Sequence, residues 1–126
     1  MKKSLINFTS LFAILIALAA YSKSAIGSTE LSQVIDCIGY HKVAGDIAFD
    51  DNDKKLAAIY YNASTAFANA AKKMGAKGGY RKESEEKFMN LARQRKIADI
   101  AATGKKCADL MNNNKTVKEE LNKILN

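Results

Sequence analysis

The chain has 126 residues, 48% hydrophobic, 26% charged and 8% aromatic, with no proline and no tryptophan. That is the length and composition of one globular domain, and it excludes collagen-like, proline-rich and low-complexity chains. The net charge is +7, and one histidine with two cysteines leaves little material for metal binding or acid–base chemistry.

Residues 1–24 have the layout of a cleaved secretory signal peptide. Lys2 and Lys3 form a positive start, Leu11 to Ala20 is an unbroken apolar run, and small residues follow. They place cleavage after Ser24, or as late as Gly27. A membrane span needs about 20 predominantly apolar residues, and Asn7, Thr9 and Ser10 interrupt the stretch that leads into the run. Cleavage takes Lys2, Lys3 and Lys23 from the lysines behind the +7 charge and leaves +4. Residues 25–126 are then expected as a single helical domain, periplasmic or secreted. In such a compartment an even cysteine count favours a disulfide, and Cys37 and Cys107, 70 residues apart, allow only one intramolecular pairing. Their spacing fits neither a C-x-x-C redox motif nor a zinc cluster.

Ser28 and Thr29 are N-cap candidates for a first helix over 29–49. Leu31, Val34, Ile35 and Ile38 form its apolar stripe, with Cys37, His41, Ala44 and Ala48 beside it and Ser32, Asp36, Gly39, Val43 and Asp46 opposite. The Asp50-Asp51-Asn52-Asp53 cluster should end it. A second helix is predicted over 53–74. Leu56, Ala63 and Ala70 alternate with Tyr60, Phe67 and Met74 in a seven-residue seam, and Gly75 stands where a left-handed C-cap belongs. A third helix is predicted to start at Lys82 or Glu83 and to run to the asparagines 112–114, and the sequence leaves open whether it continues through Gly104 or kinks or breaks there. Thr116 and Glu119 have capping-box spacing for a short last helix that carries Val117, Leu121, Ile124 and Leu125. No segment alternates as a strand would. The expected fold is all-α: a small up-down bundle of three main helices and a short C-terminal helix, stapled by one disulfide.

Candidate chemistry is sparse. His41 has no partner histidine and reads as a packing residue. The segment 50–61 lacks the glycine and glutamate of a calcium loop. The glycines at 75–79 lack the strand and the Gly-Lys-Ser/Thr of a phosphate loop. No catalytic residue, metal site or cofactor is predicted. The basic side chains of the third helix are mixed with Glu83, Glu85, Glu86 and Asp99, and export argues against nucleic acid as a partner. These absences favour a non-enzymatic protein-binding module, such as an inhibitor, an immunity factor or an envelope-interaction factor. Its partner would be another protein or an anionic envelope surface, contacted through Tyr61, Tyr80, Arg93 and Arg95. The alternative is a carrier of an apolar or lipid-like ligand between helices, lined by alanines of the second helix and by Met74, Met89 or Met111. An internal apolar pocket of several hundred Å³ would favour the carrier.

Overall fold

The computed structural model describes residues 23–125, with side chains from residue 30 onward. The predicted leader lies outside the described residues except for its last two positions. The chain divides into a unit of residues 1–30 and a unit of residues 31–126; the core and the site belong to the second. The described residues form helices α1 (Lys23–Asp50), α2 (Lys54–Lys73), α3 (Tyr80–Arg93), α4 (Ile97–Asn113) and α5 (Lys115–Leu125), and none of them is in a strand. The all-α expectation holds, but five helices stand where three main ones and a short fourth were expected.

The helix junctions explain the difference. α1, α2 and α3 end in the same way, with one residue in the left-handed conformation and two return hydrogen bonds to carbonyls of the last turn. In α1 that residue is Asn52 (φ 66°), and Asp53 N–H reaches back to the Ala48 carbonyl at 2.9 Å. In α2 it is Gly75 (φ 98°), as expected, with Ala76 N–H on Ala71 at 2.9 Å. In α3 it is Arg95 (φ 56°), with Lys96 N–H on Leu91 and Arg95 N–H on Ala92, both at 3.0 Å. The predicted third helix therefore breaks at 94–96 and not at Gly104. Gly104 lies inside α4 because Tyr40 packs against it: a Cβ there would stand 2.5 Å from the Tyr40 hydroxyl oxygen.

Helix starts also shift. The backbone is already helical at Lys23, so Ser28 and Thr29 lie within α1 and do not begin it. α3 starts at Tyr80, where Gly79 (φ 88°) turns the chain. Asp53 caps α2, its carboxylate accepting from Leu56 N–H at 3.1 Å. α5 is capped by Asn114, whose side-chain oxygen accepts from Val117 N–H at 2.9 Å, and not by Thr116.

The core joins Val34, Cys37 and Ile38 of α1 to Phe67, Ala70 and Ala71 of α2, Cys107 and Leu110 of α4, and Val117 of α5. A Cys37–Cys107 disulfide, with Cα atoms 5.7 Å apart, fastens α1 to α4. Such a bond points to an oxidising compartment, and no described helix is long and apolar enough to cross a membrane. α1 is buried on more sides than its expected stripe. Gly39 and Val43, assigned to the opposite face, are both buried. Ser84 of α3 accepts from Gly39 N–H at 2.8 Å and donates to the Ile35 carbonyl at 2.5 Å, an approach that leaves no room for a side chain at residue 39. Ser64 of α2 donates to the Ile38 carbonyl at 2.8 Å. α2 thus buries one stripe through Ala63, Phe67 and Ala70 and another through Ala57, Ser64 and Ala71. Leu56, expected in the seam, is instead 38% exposed.

Candidate functional site

α5 runs back along α2. Lys73, at the end of α2, pairs with Glu120 at 2.5 Å, while Ile59 and Ala63, earlier in the helix, face the last turns of α5. The Glu120 side chain is only 4% exposed and pairs with Lys73 and with Lys123. Hydrogen bonds from Lys73 first, then from Lys123, hold it below the usual carboxylate range against the opposing effect of burial. This clamp fixes α5 on α2 where the alanine seam allows close approach.

Farther along the pair the helices do not fill the space between them. A cavity of about 310 Å³ opens there. Leu121, Ile124 and Leu125 of α5 form one wall, and Ile59, Tyr60 and Ala63 of α2 form the other. Met111 of α4 and His41 of α1 also line it, and Asn62 stands at its exposed edge. Ile59 and Leu125 are 63% and 72% exposed, large apolar side chains left open to water. No lining residue carries a formal charge at neutral pH other than His41, if protonated. A shallower hollow of about 210 Å³ lies between the end of α1 and the start of α2, against Ile47 and Leu56, and Tyr60 lines both.

His41 is the buried polar group of this site, only 4% exposed. Its ring stacks on Phe67 with centroids 5.2 Å apart and meets Tyr40 edge-on at 4.9 Å. Tyr60 tilts against it at 6.0 Å. Nδ1 lies 2.8 Å from the Cys37 carbonyl. A carbonyl can only accept, so Nδ1 carries the proton and Nε2 keeps its lone pair when the ring is neutral. Burial pushes the ring's pKa below its ordinary value, and the hydrogen bond to Cys37 offsets part of that shift. Burial, with Tyr60 nearby, raises the neighbouring Tyr40 hydroxyl.

No family model, curated protein or solved structure matches this chain.

The four residues singled out for partner binding lie on α2, on α3 and in the α3–α4 turn. Tyr61 is half-buried on α2, its ring against Gly45 and its hydroxyl donating to Asp46 at 2.6 Å. That hydrogen bond, reinforced by burial, pushes the Tyr61 hydroxyl up to about 12. Burial alone would raise the Asp46 carboxyl, but the bonds from Tyr61 and from Lys42, at 2.9 Å, outweigh it and hold the group low. Tyr80 donates to the Ala68 carbonyl at 3.0 Å and packs on the core. Arg93 is exposed and folds back onto Asn90 and Met89, each at 3.3 Å. Arg95 is exposed in the α3–α4 turn. Tyr80 and Arg93 are the first and last residues of α3, about 20 Å apart along its axis. The two tyrosine hydroxyls serve internal bonds, and Tyr80 and Arg93 stand at opposite ends of one helix.

Of the methionines considered for a carrier, Met111 lines the cavity. Met74 packs on the core, and Met89 lies beside Arg93. Sequence reasoning missed Ile59 and the role of His41. Ile59 carried a usable signal, as a large apolar residue outside the seven-residue seam of its helix. Among the described residues no group of three or more His, Cys, Asp or Glu side chains is placed to hold a metal ion.

Proposed function

We propose that this protein is an exported, non-enzymatic binder of a small apolar molecule, built as an up-down helical bundle. One observation carries the reading: an apolar cavity of about 310 Å³ between α2 and α5, with α1 and α4 contributing to its lining. Ligand sites are typically concave and mostly apolar, about 300–1,000 Å³ in volume, with a few placed polar groups. Export accounts for the charged leader with its apolar run and for the disulfide.

The test uses the chain from Ala25 onward, oxidised, titrated with the fluorescent apolar dye phenylnaphthylamine. Saturable enhancement at one dye per chain is expected. Leu121→Trp and Ile124→Trp, which fill the cavity from α5, should each weaken binding while the protein stays folded. Absence of saturation, or binding unchanged in both folded variants, would refute the reading.

A second reading, a protein-binding module, draws on a different observation. Ile47 and Leu56 are 53% and 38% exposed and line one shallow hollow between the end of α1 and the start of α2, and grouped exposed apolar side chains mark interaction surfaces. Under that reading Ile47→Asp with Leu56→Asp abolishes partner capture and leaves dye binding intact.

A further inference from the structure

The His41 ring that lines the cavity narrows the class of ligand. This step rests on the apolar-binder reading. His41 is more than nine-tenths buried, and its only hydrogen bond joins Nδ1 to the Cys37 carbonyl. Nε2, on the other edge of the ring, has no partner among the described residues. It is not sealed in the core either, because no buried side-chain nitrogen or oxygen among them lacks a hydrogen bond. The space that His41 lines is the cavity. A ligand that covers Nε2 without donating to it takes the lone pair out of water unpaired, which costs free energy, so a ligand that donates to it gains over one that does not.

The tautomer sets the direction of that bond. With the proton fixed on Nδ1, Nε2 is an acceptor, and the matching ligand atom is a donor. The ring is held in place on three sides by Phe67, Tyr40 and Tyr60. The acceptor is therefore pre-oriented and does not have to be ordered on binding. The remaining lining has no fixed cation to pair with an anionic headgroup, since no Lys or Arg contributes to it. An ionised fatty acid would bring a buried negative charge beside an acceptor lone pair, which is unfavourable.

We infer that the cavity selects a neutral, mainly apolar molecule bearing one hydroxyl, an alcohol or a phenol, whose O–H donates to His41 Nε2 while its hydrocarbon part lies between α2 and α5.

The experiment compares para-propylphenol with para-propylanisole, which have the same apolar body, but only the first has a donor. Calorimetric titration of the oxidised protein at about pH 7.5, above the ordinary histidine pKa, should show the phenol binding about 3–10-fold tighter, the range expected of one net hydrogen bond. In His41→Phe, which keeps a ring to stack on Phe67, the two ligands should bind alike. A second readout does not depend on that variant folding. His41 is the only histidine in the chain, so its imidazole nitrogen signals assign themselves. The Nε2 resonance of nitrogen-labelled protein should move with the phenol and stay in place with the anisole. Equal binding of both compounds, or a phenol preference with an unmoved Nε2 signal, overturns the inference and leaves the apolar-binder reading standing. If neither compound binds and the dye fails as well, both fall.

Discussion

Removing the Cys37–Cys107 link should cost the fold about 4 kcal/mol. The bond closes a loop of 70 residues, and in the chain-entropy description a loop of that length restricts the unfolded chain by about 4.4 kcal/mol at 25 °C. Domains of this size have a net stability of about 5–15 kcal/mol, so the loss leaves a protein in the lower half of that range close to unfolding. Both cysteines are essentially inaccessible to solvent, at 0% and 1%, among Val34, Ile38 and Leu110. The paired change Cys37→Ala with Cys107→Ala removes the constraint without leaving a polar atom in that core. Urea unfolding followed by circular dichroism should show a lower midpoint for the variant. Its denaturant slope should be steeper, because an unlinked chain exposes more surface on unfolding. A loss below about 1 kcal/mol, or free thiols in protein recovered from an oxidising compartment, would refute the staple. The link also reaches the cavity. His41 bonds to the carbonyl of Cys37, and Met111 stands one turn beyond Cys107, so the same variant should bind phenylnaphthylamine more weakly even where it remains folded.

Two further outcomes follow from single residues. Arg95 holds a left-handed backbone (φ 56°) that glycine adopts without steric cost, so Arg95→Gly should raise stability by about 1 kcal/mol in thermal or urea unfolding; a loss would mean that the arginine side chain supports the turn. Folding lowers the proton affinity of His41, so the unfolded chain takes up the proton first. Stability should be full above about pH 6.5, the unfolded value, and fall as pH drops from there toward the lower folded value, with a slope of at most about 1.4 kcal/mol per pH unit. His41→Phe should flatten that part of the profile, and a wild-type curve already flat between about pH 7 and pH 5.5 would contradict the burial of a neutral ring.

What could be read from the sequence tracks how local its cause is. The α1–α2 turn and the end of α2 were legible because Asn52, Asp53 and Gly75 are residue types suited to left-handed turns or caps. The α3–α4 turn uses the same backbone geometry with arginine at the decisive position, and no local preference marks it. The disulfide was legible from count and context, since two cysteines permit a single pairing. The cavity was legible in part: Ala63 and Met111, which line it, were among the residues named for a carrier, while the wall that α5 supplies was not, because it depends on how α5 packs on α2. Burial of His41 was expected from its stripe. Its free Nε2 edge depends on which nitrogen turns to the Cys37 carbonyl, and periodicity does not encode that.

Gly104 is the sharpest case of one residue with two opposed readings. As a glycine inside a helix it should be improved by alanine, with a gain of about 1 kcal/mol in backbone propensity. The structure opposes this, because the new Cβ would lie 2.5 Å from the Tyr40 hydroxyl oxygen and 2.8 Å from its ring carbon Cζ. Overpacking of that kind costs about 1–3 kcal/mol. Tyr40 cannot move without disturbing its neighbours, since its ring meets His41 edge-on at 4.9 Å and Phe88 at 6.4 Å. Overlap should win, so Gly104→Ala is expected to lose about 1 kcal/mol net and to weaken dye binding by pressing Tyr40 onto His41, which lines the cavity. Tyr40→Phe removes the oxygen atom and leaves the ring. In a double-mutant cycle the alanine should therefore cost less in the Tyr40→Phe background than beside the native tyrosine, with a coupling of about 1 kcal/mol. A Gly104→Ala protein more stable than the parent, or a cycle with no coupling, would show that Tyr40 does not press on α4 and that the glycine is only a weak point in the helix.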